Sequence, residues 1–234
     1  MSSPQGCTHD PQTLLNRLGS RVLVTDFDGT MTAVDFFDVV LNHVPTDTMP
    51  DYWGQCVAGE LTHVAALNGI FQHAPRNLAT LSAWLPETRL DSRTPAAIAA
   101  LKSHGWSVLV VSAGSLWYIE QILSTVIDEI EIIANPGGYA DDSGLWMGWP
   151  AADMPWYHAH FGIDKAQILR WLMAAGKTVA FAGDGRPDLA AARVSGVQSL
   201  FAKSWLAEQL ASEHIPFTSF EHWPGIAGAV GSRS

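Results

Sequence analysis

A chain of 234 residues with 47% apolar and 15% charged side chains has enough apolar surface for a real core and too little charge for disorder. Its formal charge of −10 and its 13 scattered Lys and Arg residues exclude the basic footprint of a nucleic-acid binder, and an anionic leaflet would repel it. Two cysteines, Cys7 and Cys56, make neither a disulfide framework nor a zinc motif; with a polar start, MSSPQGCTHDPQ, and no apolar run near ~18 residues, the expectation is a cytoplasmic protein without signal peptide or membrane span.

In chain order, residues 1–20 read as a loose arm with a short helical piece near Leu14–Leu18. RVLVTDFD, 21–28, is β-branched, unbroken in its apolar part and bounded by Gly29, the pattern of a strand buried on both faces. Residues 34–93 differ in kind: VDFFDVVLNHV, GELTHVAALNGIF and RNLATLSAWL are short helical patterns separated by Pro45, Pro50, Pro75 and Pro86. Thr94-Pro95 then predicts a helix start, with Thr94 as N-cap, and His104-Gly105 its end. WSVLVVS, 106–112, is a second buried strand, residues 115–126 a helix with Ile119, Ile122, Leu123 and Val126 on one face, and EIEIIAN a third strand. PGGYADDSGLWMGW carries hairpin turn signals. Asp164 and Gln167 resemble a capping box for a helix over 165–175, TVAFAGD is a fourth strand, 187–194 a helix and VQSLFA a fifth strand. Strands alternating with helices predict an α/β fold, a parallel sheet flanked by helices on both faces.

Ligands of such sheets bind beyond the carboxyl ends of the strands, and chemistry-bearing residues stand there. The first strand ends in Asp26 and Asp28, the second in Ser112 and the fourth in Asp184 and Asp188, while the capped helix opens with Lys165. Two carboxylates so close at the end of a buried strand repel each other and need a cation. Oxygen ligands from Asp26 and Asp184 suit Mg²⁺, which is usually bound by one or two carboxylates plus a phosphate. A carboxylate screened in this way can attack phosphorus, Lys165 and Ser112 can hold phosphate oxygens with N–H groups of the Gly29 and Gly114 turns, and Asp28 can move the proton.

DFDGT, VVSAGS, DKAQ and GDGRPDL, in this order, resemble the four motifs of the haloacid dehalogenase superfamily, and they span residues 22–190. The resemblance implies a Rossmann-like core over 1–33 and 94–234, an aspartyl-phosphate intermediate, Mg²⁺ and a small phosphomonoester as substrate. Asp26 is then the nucleophile and Asp28 the acid–base residue; Ser112, Ala113, Gly114 and Lys165 bind the phosphate; Asp26, Asp184, Asp188 and the backbone carbonyl of Asp28 serve the metal, with Asp188 either a ligand or one shell out. Residues 34–93 fall where this superfamily carries a type-one helical cap, as in its phosphoserine-phosphatase-like branch. Within that branch the DFDGTMT start, the WP at 149–150 and the length are similar to the enol-phosphate phosphatases of methionine salvage. Pro187 departs from the branch, which usually carries Asn there.

Phosphoryl transfer to an acceptor other than water uses the same Asp26 and Asp28, and a catalytically degenerate binding domain is the non-enzymatic alternative. Phosphonate hydrolysis needs a cap lysine, and Lys102, Lys165, Lys177 and Lys203 all lie outside the insert. GELTHVAALNGIF holds no arginine for a substrate carboxylate, and Asn68 stands about where one is sought. The expected leaving group is therefore neutral, apolar or cationic. Glu60, Asn68, Trp53 and Trp84 in the insert, and Trp149, Trp156, His158 and His160 beyond it, are candidates to touch it. Cys7 and Cys56 are expected to be inert.

Overall fold

The computed structural model describes residues 10–231 apart from Thr46 and Thr48, so Cys7 lies outside the described residues. The chain runs through α1 (Pro11–Arg17), β1 (Arg21–Thr25), α2 (Phe36–His43), α3 (Tyr52–Val57), α4 (His63–Phe71), α5 (Leu78–Trp84), α6 (Thr94–Ser103), β2 (Trp106–Ser115), α7 (Leu116–Ile122) and β3 (Glu131–Asn135). Two hairpins follow, β4 (Gly137–Ala140) with β5 (Gly144–Met147) and β6 (Tyr157–His158) with β7 (Gly162–Ile163). The chain then forms α8 (Lys165–Ala174), β8 (Thr178–Gly183), α9 (Leu189–Ala192), β9 (Ser199–Ala202), α10 (Ser204–Ser212), β10 (Thr218–Ser219) and α11 (Gly225–Gly231).

Six strands make one parallel sheet in the order β10-β9-β8-β1-β2-β3. Val22, Leu23 and Val24 of β1 are fully buried because both faces of the sheet are covered, which explains the unbroken apolar run. Alternation sends Leu23 to one core, and Val22 and Val24 to the other. On one face Leu14 of α1, Ile168 and Leu172 of α8 and Leu206 of α10 pack down; on the other, Ile98 of α6, Ile119 of α7 and Ile226 of α11 do so. The chain builds outward from β1 to β3 on one side, then returns and builds from β8 to β10 on the other. The order reverses between β1 and β8, and that switch point opens a crevice at the strands' carboxyl ends.

Helices α2 to α5 stand over this crevice. Their buried residues Phe36, Val40, Phe71 and Leu81 belong to the same apolar cluster as Leu23 and Val108 of the sheet, so the insert packs continuously onto the core face. Its two connections lie side by side, since the N–H groups of Ala33 and Val34 both donate to the Thr88 carbonyl, at 3.0 and 3.1 Å.

The pattern reading meets the structure at the five expected strands, at the first hairpin and at most helices. Thr94 is the first helical residue of α6 and Arg93 occupies the cap position, leaving Thr94 Oγ1 buried without a partner. Helix α7 stops at Ile122, and Leu123 and Val126 reach the core from a turn. Helix α3, the β6–β7 hairpin and everything after Ala202 have no counterpart in the pattern reading. No helix among the described residues is long and apolar enough to cross a membrane.

Candidate active site

Register brings the acidic residues together. Thr25 at the end of β1 lies opposite Val110 of β2 and Ala182 of β8, so the residues that follow each strand emerge at one edge. The Asp26 N–H still donates to the Ala182 carbonyl at 2.9 Å, which fixes the Asp26 side chain at the start of the turn. Gly29 then adopts φ +69°, and a Cβ there would lie 2.9 Å from the Asp35 carboxylate, so both conformation and space require glycine.

Lys165 Nζ is the hub. It lies 2.5 Å from Asp26 Oδ1 and 2.6 Å from Asp188 Oδ1, and all three side chains are buried. Its place in the first turn of α8 is set by Asp164, whose carboxylate caps the helix through the Gln167 N–H at 2.8 Å. Asp188 Oδ2 accepts the N–H groups of Asp184 and Gly185, each at 3.0 Å, so Asp188 ties the loop after β8 to the lysine. Pro187 is the second residue of the single turn Arg186–Asp188, a first-turn position where a missing N–H costs nothing. Asp184 Oδ1 accepts the Thr30 hydroxyl at 2.6 Å. Oxygens of Asp26, Asp184 and Asp188 all lie within 4.8 Å of one another.

The Asp28 carboxylate is held by a different set of donors. Its Oδ2 accepts the Tyr118 hydroxyl at 2.5 Å and its Oδ1 the Phe36 N–H at 3.1 Å. Ser112 Oγ accepts the Gly114 N–H at 2.9 Å inside β2, where the pairing with β3 slips between Val111 and Ser115, and its own proton is left to donate elsewhere. Asn135 braces this stretch of β2, donating to the carbonyls of Ala113 at 2.8 Å and of Phe161 at 2.9 Å.

The site is short of positive charge. Burial, then the nearby charge of Asp188, pushes Asp26 well above the usual carboxylate range despite Lys165. Burial and Asp188 raise Asp184 to about 6, and burial with Asp28 and Asp184 raises Asp35 to about 8. Burial also raises Asp28, against the pull of the Tyr118 and Phe36 hydrogen bonds. Burial works to lower Lys165, but Asp188 and Asp26 outweigh it and hold the ammonium charged. Lys165, with the half-buried Lys203 acting on Asp184 from the side, does not balance these carboxylates, and the deficit is one that a hard divalent cation on oxygens of Asp26, Asp184 and Asp188 would fill; this donor set fits Mg²⁺.

A cavity of about 620 Å³ opens above these groups, and Asp26, Asp28, Ser112, Ala113, Gly114, Lys165 and Asp184 line its floor. Asp188 lies behind them, fully buried. The insert supplies the roof: Phe37 stacked on Trp53 at 4.5 Å, with Leu67, Phe71 and His63 beside them. His160 and Phe161 close one flank, while Arg186 and Trp205, whose guanidinium and indole lie 5.2 Å apart, form the opposite rim. Burial lowers His63 to about 3, so its ring is neutral near pH 7.

Several candidates from the sequence stand elsewhere. Asn68 Oδ1 accepts the Met147 N–H at 2.9 Å and fastens α4 to the first hairpin, so it is not a reader of the substrate. Trp84 stacks on His43 at 4.3 Å, Trp156 packs against Trp171, and the Trp149 indole donates to the Ala159 carbonyl. His158 Nδ1 accepts the N–H groups of His160 and Phe161, and Glu60 does not line the cavity. Cys56 does line it, and burial keeps its thiol protonated. Asp35, Tyr118, His63 and Phe161 line the cavity without having been singled out as contacts. A signal existed for Tyr118, since a tyrosine on the buried face of α7 needs a partner for its hydroxyl.

Comparison with known proteins bears on the family and the fold. The model of the family described as haloacid dehalogenase-like hydrolase matches residues 23–193. The 2-hydroxy-3-keto-5-methylthiopentenyl-1-phosphate phosphatase of Bacillus cytotoxicus is 23% identical over 197 residues, covering 83% of this chain and 89% of its own. Its namesake from Geobacillus thermodenitrificans is 24% identical over 204 residues, covering 85% and 91%. Among solved structures, a phosphoserine phosphatase from T. onnurineus superposes with a TM-score of 0.60 at 15% identity, covering 96% of this chain and 98% of its own. A probable phosphoserine phosphatase from Vibrio cholerae superposes with a TM-score of 0.62 at 18% identity, covering 92% and 67%; both likenesses establish the fold.

Proposed function

The chain belongs to the haloacid dehalogenase-like hydrolase family, and on that premise we propose that it is a Mg²⁺-dependent phosphomonoesterase acting through an aspartyl phosphate on Asp26. The observation that carries this reading is the division of labour between the two aspartates of DFDGT. Asp26 is held in the acidic cluster by Lys165, whereas Asp28 is held by the Tyr118 hydroxyl and the Phe36 N–H. Lys165 and a bound cation would keep the first ionised against its burial, and the second is placed to exchange a proton.

Bound Mg²⁺ would screen the carboxylates from the incoming phosphate dianion and offset charge on the phosphoryl oxygens. The chain's own groups do the rest. Lys165 and the Ser112 hydroxyl orient the phosphoryl oxygens, with backbone N–H groups of the irregular 112–114 stretch of β2 as further donors. An Asp26 oxygen attacks phosphorus as the ester P–O bond breaks, and Asp28 delivers a proton to the departing oxygen. Asp28 then takes a proton from water as the water oxygen attacks phosphorus, and the Asp26 carboxylate leaves with inorganic phosphate formed. Asp188 fixes Lys165 and the loop after β8, and with Asp26 and Asp184 it completes the acidic set that would hold the metal.

Residues 34–93 act as a cap over a core of 1–33 and 94–234 and select the leaving group. The roof of Phe37, Trp53, Phe71 and neutral His63 offers no cation to a carboxylate, which favours an uncharged, largely apolar leaving group. The phosphate ester in the names of the Bacillus and Geobacillus relatives, a hydroxy-keto compound with a methylthio end, has that character. Phosphate release from this ester and from phosphoserine tests the reading. A kcat/KM at least about tenfold higher for the uncharged leaving group, equivalent to ~1.4 kcal/mol, is expected. A tenfold preference for phosphoserine would overturn the assignment of the cap, and no phosphate release from any phosphomonoester would overturn the enzyme.

A further inference from the structure

We propose that Tyr118 is a positioning residue for the acid–base step: its buried hydroxyl holds the Asp28 carboxylate aimed at the leaving-group oxygen. The proposal deepens the phosphatase reading and rests on it. A lone carboxylate on a turn rotates about its Cα–Cβ and Cβ–Cγ bonds, and a proton donor must stand within hydrogen-bond reach of the atom it protonates. Here two donors from different elements fix both oxygens: the N–H of Phe36, the first residue of α2, on Oδ1 at 3.1 Å, and the Tyr118 hydroxyl on Oδ2 at 2.5 Å. Each carboxylate oxygen keeps a second lone pair, so the transferable proton still has a place.

The tyrosine itself has nowhere to go. Its ring is buried and packs against Phe27, Phe36 and Phe71, with centroids 6.2, 4.6 and 5.9 Å away. The hydroxyl passes over Gly114, where any Cβ would collide with it and would lie 3.0 Å from Asp28 Oδ2. The glycine of VVSAGS therefore makes room for the Tyr118–Asp28 hydrogen bond as well as for a phosphate. Phe36 and Tyr118 also come from the insert and the sheet side respectively, so seating of the insert and orientation of Asp28 are one structural event. Tyr118 keeps its own proton throughout. The proton that moves belongs to Asp28, passing to the leaving oxygen as the P–O bond breaks and returning from the attacking water.

Tyr118→Phe removes the hydroxyl and keeps the packed ring. With Mg²⁺ present, kcat for an alkyl ester such as β-glycerophosphate should fall at least about tenfold, because a poor leaving group depends on protonation. For p-nitrophenyl phosphate the loss should stay under about threefold, since its leaving group needs little protonation. In an Asp28→Asn background the same substitution should add nothing. Equal losses for both esters, or an undiminished loss in the Asp28→Asn background, would overturn the proposal. Wild-type release of p-nitrophenol reports on the phosphatase reading separately, and its absence would overturn both. If Tyr118→Phe does not fold, proton NMR of the wild-type chain decides. A phenol proton shifted downfield by its bond to Asp28 and lost in Asp28→Asn supports the proposal, and one unaffected by Asp28→Asn contradicts it.

Discussion

Lys165 is the residue on which the buried charges of the site depend. It is paired with Asp26 and Asp188, all three out of water, and removing one partner of such a set leaves the others uncompensated. Lys165→Met should cost about 3 kcal/mol or more of stability in urea unfolding. Asp26→Asn removes one charge from a repulsive group and should leave the metal-free protein as stable or more stable. Equal destabilisation by both would contradict this account of the cluster. Asp35 gives a pH signature. Its folded-state value near 8 lies above the unfolded one, so its contribution is full at low pH and lost as pH rises toward 8. His63 is lowered in the fold, so its contribution is lost only as pH falls below about 6.5. Between about pH 6.5 and 8 the metal-free protein should therefore lose thermal stability, and Asp35→Asn should flatten that decline. A flat wild-type profile in EDTA would contradict it. At this scale the sequence was most legible, because Asp26, Ser112, Lys165 and Asp184 each follow directly from a strand end or a helix cap. Asp35 was not legible and Tyr118 only as a buried hydroxyl in want of a partner: a carboxylate and a phenol acquire their roles only when α2 and α7 bring them beside Asp28.

The insert shows where element-scale reading succeeds and fails. Helices α2, α4 and α5 announce themselves by buried residues at helical spacing, such as Phe36, Val39 and Val40. Helix α3 does not, because YWGQCV contains no buried residue and turns its aromatic side toward the cavity. The same property makes α3 the part of the roof open to change. Trp53→Ala should leave the melting temperature nearly unaltered. It should raise KM for an ester with a large apolar leaving group several-fold more than for a small one, as ~100 Å² of aromatic contact is lost. Equal effects on both esters would make Trp53 structural. Deleting the insert is a poor test, because its cluster is continuous with that under the sheet and deletion would strip Phe36 and Phe71 from the Tyr118 ring. The two-residue strands β6 and β7 escape pattern reading for want of length, yet they deliver His160 and Phe161 to the cavity.

The whole molecule combines a neutral-to-apolar roof, an acidic floor and a formal charge of −10. The topology that assembles them was readable from alternating strands and helices, but the order β10-β9-β8-β1-β2-β3 was not, because one chain direction carries no record of which strand lies beside which. Two chelation experiments follow. EDTA should abolish phosphate release and Mg²⁺ should restore it. Mg²⁺ should also raise the melting temperature more at pH 8 than at pH 5, where protons partly replace it on the carboxylates. Full activity after exhaustive chelation would rule out the metal. The central claim is that Asp26 carries the phosphoryl group, and trapping it is the most direct measurement. Enzyme quenched during turnover of p-nitrophenyl phosphate, reduced with borohydride and mapped by peptide mass spectrometry should show position 26 converted to homoserine, with no conversion in Asp26→Asn. An unmodified Asp26 in enzyme that is releasing phosphate, together with turnover that survives in Asp26→Asn, would contradict it.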